Sequence, residues 1–248
     1  MRTPNTITSL FYLTVFILSI LLISHDVLAY RPFVSTDASV VHKNKWEMEL
    51  GVFKLTHQNK ENEIVVPSAR INYGIIDNWE LVGESDMQIY KEGKDRDFEI
   101  RDPAVSLKGV LRDGILQNKD GPSLAIELGA LLPSTVKGER NTGFGGVGIL
   151  SYKFFNLVYH INSGIELDRS EVGPNAIWGV ILEYPFEGSF RIVGEVNGIV
   201  KNEDLPETSG LIGFILRIKE IDFDFGARKS FSDAAADWEL TSGMTFSF

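Results

Sequence analysis

Charged side chains on alternate positions are the chemistry this sequence offers. In Trp46-Glu47-Met48-Glu49-Leu50 the carboxylates alternate with large apolar residues, and Glu80, Glu84, Asp86 and Gln88 share one face of the stretch that starts at Trp79. A period of two puts such residues on one side of an extended chain. Asp102, Ser106 and Lys108 repeat the pattern, as do Glu127, Arg191, Glu195, Asn197, Arg217 and Arg228 further on. The remaining members of the charged row are Glu166, Glu183, Asp222, Asp224, Glu239, Arg70 and Lys153. So many ionic groups on one face would be costly in a dry core. They suit a wet, enclosed interior, where acids set against bases either select solutes by potential or pair into a network that fills the space.

Other chemistries fare worse. His160-Ile161-Asn162-Ser163-Gly164 is superficially similar to outer-membrane phospholipases, but alternation turns His160 inward and Ser163 outward, so no nucleophile meets its base. We therefore expect no enzyme. The chain has no cysteine and four histidines, none of them paired at ligand spacing, so no metal or other cofactor is expected. Glu203-Asp204 lacks the ordered spacing of a calcium loop. Gly143-Phe144-Gly145-Gly146-Val147-Gly148 leads into a strand and has no Lys-Ser/Thr, so it is no phosphate loop. A net charge of −10 argues against nucleic acid as a partner.

The elements that must position these residues are strands. The last stretch, Trp238 to Phe248, carries Trp238, Leu240, Met244, Phe246 and Phe248 on one face and polar or small residues on the other, with aromatics at both ends. In a bilayer such aromatics mark the two water interfaces, and about ten residues of tilted strand span the hydrocarbon. Counting similar stretches gives about twelve crossings, with long and short connections mostly alternating as in membrane barrels. Two places disturb the pattern. Pro67 interrupts the second crossing, and the connection Arg112 to Gly121 is too long for a short turn, so the count is open by two. The expected fold is an all-β, antiparallel transmembrane β-barrel over residues 45–248.

Before it lie two further segments. Arg2 and the apolar run Leu10 to Ile23, followed by Val27-Leu28-Ala29, predict a signal peptide over residues 1–29, cleaved after Ala29. Residues 30–44, with Pro32 and no sustained alternation, read as a periplasmic tail or plug.

Two resemblances extend this reading. Chains with alternating aromatics and a terminal Phe resemble Gram-negative outer-membrane barrels, which implies that assembly machinery reads Trp238, Phe246 and Phe248. Arg31-Pro32-Phe33-Val34-Ser35-Thr36-Asp37-Ala38, Ile100-Arg101-Asp102-Pro103-Ala104-Val105-Ser106-Leu107-Lys108, the stretch Pro122 to Pro133 and Val193-Gly194-Glu195-Val196-Asn197-Gly198 follow one another in the order of the outer-membrane family labelled "meta-pathway of phenol degradation". Arg101 stands where that family usually has Gly, and Ser134-Thr135 where it continues Thr-Gly. The resemblance implies passage of small solutes, hydrophobic or aromatic ones among them, through the outer membrane. The partners then expected are membrane lipid, the assembly machinery and the solute. The alternative is a filled, non-conducting barrel that serves as a structural or surface-interaction protein.

Overall fold

The computed structural model describes residues 31–58, 61–65, 67–92, 95–134, 140–169, 173–185, 188–201, 205–232 and 236–248. The predicted signal peptide lies outside them. In chain order the strands are β1 (Trp46–Gln58), β2 (Glu61–Val65), β3 (Ser68–Ile76), β4 (Trp79–Glu92), β5 (Asp95–Arg112), β6 (Ser123–Leu131), β7 (Gly143–Phe154), β8 (Leu157–Leu167), β9 (Asn175–Tyr184), β10 (Phe190–Val200), β11 (Glu207–Ile218), β12 (Ile221–Ser230) and β13 (Trp238–Ser247). Each pairs antiparallel with its neighbour, and β13 pairs with β1, so the sheet closes into a barrel. Where the ladders run on both sides of a strand, closure satisfies its backbone from within the wall.

The thirteen strands make twelve crossings, because β2 and β3 pair with β1 in one continuous register. Pro67 divides them. It has no amide to give to the ladder, and it stands level with Val52, where β1 bulges against β13 between Gly51 and Phe53. The two irregularities of this wall therefore coincide, which lets one local bend absorb both.

The seam holds the chain's end. Trp46 and Phe248 exchange both backbone hydrogen bonds, at 2.8 and 2.9 Å, so the carboxy-terminal residue completes the β1–β13 ladder. We call the rim at Trp46 and Phe248 the terminal end. Tight turns lie there at Asp77-Asn78, Phe155-Asn156 and Lys219-Glu220, with Asn78, Phe155 and Lys219 at positive φ. The long connection after β5 also lies at this end. It coils into one 3-10 turn, Ile115–Gln117, packed against β6 and β7.

The outward row is apolar and open to its surroundings: Ile212 is 67% exposed, Ile165 61% and Leu128 52%. Aromatic contacts gather at its margins, with Trp46 against Tyr73 (4.3 Å between centroids), Tyr152 against Tyr159 (5.8 Å) and, at the opposite end, His57 against Trp238 (5.3 Å). The inward row is mostly buried and ionic. It also contains apolar patches, Val193, Leu211 and Ile215 on one side and Ala125 and Ile149 on another. Those patches interrupt the ionic row expected from the sequence, and each faces the segment that precedes β1.

Candidate functional site

Residues 31–44 run through the lumen. A segment outside any ladder must find partners for its amides elsewhere, and here the wall's side chains supply them. Glu195 accepts from Val34 N–H at 3.2 Å and from Ser35 N–H at 2.7 Å. Asn162 accepts from Thr36 N–H at 2.8 Å and donates back to the Thr36 carbonyl at 2.7 Å. Ala38 N–H donates to Ser151 Oγ at 3.0 Å, and Val41 N–H to Glu80 at 2.6 Å. Arg31 donates to Ser68 and Thr241 and lies 3.5 Å from Asp224. The segment is thus a strap bound to many strands.

Its side chains fit the wall as well. Phe33 packs on Val193, Leu211 and Ile215, while Ala38 packs with Ala125 and Ile149 beside Leu116 of the 3-10 turn. Gln117 of that turn donates to the Ala38 carbonyl at 2.9 Å. The over-long connection therefore has a physical reason: it reaches under the barrel and clasps the strap. Close approach also explains two glycines. A Cβ on Gly179 would run into the Ser35 hydroxyl, and one on Gly226 would lie 3.1 Å from Pro32. At the rim the strap pairs Lys43 with Gly74 and passes through Asn44, at φ 61°, into β1.

The charges around the strap divide into two walls. On β9 to β12 acids and bases alternate in a chain: Glu183 to Arg191 at 2.9 Å, Arg191 to Asp222 at 2.9 Å, Asp222 to Arg217 at 2.7 Å. Next to it Arg228 donates to Glu195 at 2.5 Å, to Asn197 at 2.7 Å and to Ser209 at 3.0 Å. On the wall from β1 to β6, Arg70 serves Glu84 (2.8 Å), Glu127 (3.2 Å) and Glu49 (3.7 Å), and Lys108 serves Asp37 (3.4 Å) and Glu80 (3.7 Å). Burial alone would raise the Asp37 carboxyl, but Lys108, His160 and Ser39 outweigh it and hold the group below its ordinary value.

Of the residues expected to line the interior, Glu80, Lys108, Glu127, Arg191, Glu195, Asn197, Arg217 and Arg228 surround the strap. Glu84, Asp86 and Asp102 lie further towards the opposite mouth, beside a cavity of about 280 Å³ that borders Arg31 and Phe33. Asp102 is exposed, sits at φ 48° and meets Arg169 at 3.3 Å. A larger cavity, about 840 Å³, opens at the terminal end and is bordered by Asp37, Val41, Glu47, Glu80, Lys108 and Arg217. The strap stands between these spaces. Trp238, Phe246 and Phe248 lie on the seam strand or its end, Trp238 exposed and the two phenylalanines half-buried.

Residues that sequence reasoning passed over include Asn162 and Ser151, small polar groups facing inward on strands otherwise read for their charges. His160 faces inward and is fully buried, with Ser151 Oγ 2.8 Å from its Nδ1 and Glu183 3.2 Å from its Nε2. That row has the order of a nucleophile, a base and an acid. Ser151 and His160 have no exposed surface, and the Ser151 hydroxyl already takes the Ala38 amide, so the row binds the strap. Among the described residues no group of three or more His, Cys, Asp or Glu side chains is arranged to hold a metal ion.

The sequence matches no protein-family model and no curated protein. The expected place in the phenol-degradation family is therefore without support from either comparison. Among solved structures the chain is similar to the outer membrane channel DcaP of Acinetobacter baumannii, with a TM-score of 0.33 and 10% identity over 83% of this chain and 95% of that one. A likeness of that size leaves function to be argued from the barrel's own geometry.

Proposed function

We propose that this protein is an outer-membrane channel for small solutes, held narrow by its own strap and selective through the charged walls. The observation that carries this reading is that the strap is docked by hydrogen bonds and ion pairs, with space on both of its sides. A structural filler would be expected to sit on a continuous apolar core. Polar docking in a wet lumen exchanges readily for water, since each such bond is worth only about 0.5–1.5 kcal/mol net, or about 1.5–3 with a charged partner. The exposed apolar band with aromatic margins supports the membrane setting. The seam strand ending at Phe248 supports assembly by the machinery that reads such ends, and the expected leader supports export to the outer membrane.

The test is conductance in planar bilayers, comparing the chain with a variant lacking residues 31–41. Small or flickering conductance that becomes large and steady on deletion supports the channel. A folded deletion variant that remains silent returns the barrel to the filled, non-conducting alternative. Liposome uptake of phenol against a polar solute of similar size then decides between the aromatic class implied by the family resemblance and the polar class favoured by the walls.

A further inference from the structure

The two walls differ in charge balance. Opposite the strap's middle, Glu183, Asp222 and Glu195 are met by Arg191, Arg217 and Arg228. On the other wall Glu49, Glu80, Glu84 and Glu127, with Asp37 of the strap, share Arg70 and Lys108. Glu47 adds a further carboxylate there. It is 5% exposed, and its Oε1 accepts a hydrogen bond from Asn72 Nδ2 at 3.0 Å, which also donates to Glu49 at 3.1 Å. Its Oε2 is buried and has no hydrogen-bond partner among the described residues. On neighbouring β13 the Thr245 hydroxyl, paired in register with Glu49, is likewise buried and unpartnered. A carboxylate oxygen is an acceptor, so what Glu47 Oε2 lacks is a donor, and beside acids that already share Arg70 and Lys108 a positively charged donor gains most.

We infer that the terminal-end cavity binds a small organic cation carrying an ammonium group, with Glu47 and Glu49 as its acceptors and Glu80 beside them. The cavity, at about 840 Å³, falls in the range that takes small molecules. A metal ion is the weaker occupant because no set of three metal-capable side chains converges there among the described residues. An anion would find Arg70, Lys108 and Arg217 on the border of the same cavity, so the preference for a cation rests on Glu47 with its neighbours Glu49 and Glu80. The inference uses the channel reading only for the route by which the ligand arrives, since binding itself needs no conductance.

The full chain in detergent, titrated calorimetrically at neutral pH with n-butylammonium chloride, n-butanol and sodium butyrate, tests it. The expected result is saturable binding of butylammonium at least about tenfold tighter than of the alcohol or the carboxylate, a gap of about 1.4 kcal/mol. Glu47→Gln or Glu49→Gln, checked for folding by heat-modifiable gel mobility, should weaken it by about the same factor. Equal affinity for the three probes, no binding, or unchanged affinity in a folded Glu47→Gln protein overturns the inference and leaves the orphan oxygens to water. The wild-type comparison decides even if both variants fail to fold. Absent conductance with selective butylammonium binding would sink the channel and keep the site; conductance without selective binding would do the reverse.

Discussion

Glu195 joins the strap to the wall more densely than any other residue described above, since one carboxylate takes two strap amides and the Arg228 guanidinium. Removing it takes the 2.5 Å partner from Arg228 and leaves Glu239, 3.9 Å away, as its remaining anion among the described residues, a loss bounded by the roughly 3–5 kcal/mol that breaking a buried ion pair costs. Glu195→Ala is therefore expected to lower the temperature at which the folded band converts on heat-modifiability gels, and to raise open probability in bilayers. Glu195→Gln, which keeps an acceptor oxygen, should do less of both. Asp37 gives a second prediction. Its carboxyl is held below the ordinary 3.8, so its contribution to strap docking is complete above that value and fades as pH falls through the lower, folded one. Conductance should rise on acidification below about pH 4, and Asp37→Asn should already be open at neutral pH and lose that response.

At the scale of elements, the closing seam depends on the last residue. Phe248 and Trp46 exchange two backbone bonds, so a chain truncated by that residue loses the end of the β1–β13 ladder. Truncation at Ser247 should lower the yield of folded barrel in outer membranes or liposomes, measured by the heat-modifiable fraction. The 3-10 turn supplies a milder handle: Gln117→Ala removes the bond to the Ala38 carbonyl together with those from the Ser123 hydroxyl and the Gly114 amide, and should loosen the strap while lowering the barrel's melting by less than Glu195→Ala does. These elements were unevenly legible in the sequence. Strict alternation around Glu47 and Glu49 or around Arg191 and Glu195 showed which face each residue takes, because period-two patterning depends on nothing distant. The joint role of Pro67 and Val52 was not legible, since a bulge is a relation between strands. Nor was the purpose of the connection Arg112 to Gly121, whose partner lies far away in sequence.

For the whole molecule, the barrel was readable and its contents were not. Period-two alternation turns Glu80, Lys108, Glu195 and Arg228 inward, yet it does not show that Glu80 and Glu195 take strap amides, that Lys108 meets Asp37 of the strap, or that Arg228 reaches the strap through Glu195. Amides carry no sequence signal. Arg31 to Asn44 has neither alternation nor helical periodicity, so nothing in the segment announces that Ser35 is to sit against Gly179 or Phe33 on Val193. The inner apolar patches were hidden for the same reason, because Val193 and Ile215 read as ordinary strand residues until something lies against them.

Among the described residues the strap leaves the lumen at one rim, where Lys43 pairs with Gly74 and Asn44 turns the chain into β1. Arg31 and Lys43 outnumber Asp37 along it, so the tethered segment is cationic. A transmembrane voltage of one polarity drives such a tether deeper into the pore and the other polarity draws it out through the rim it hangs from. Currents through a single oriented protein should therefore rectify, and the sense of the rectification should invert when Arg31 and Lys43 are both replaced by glutamate.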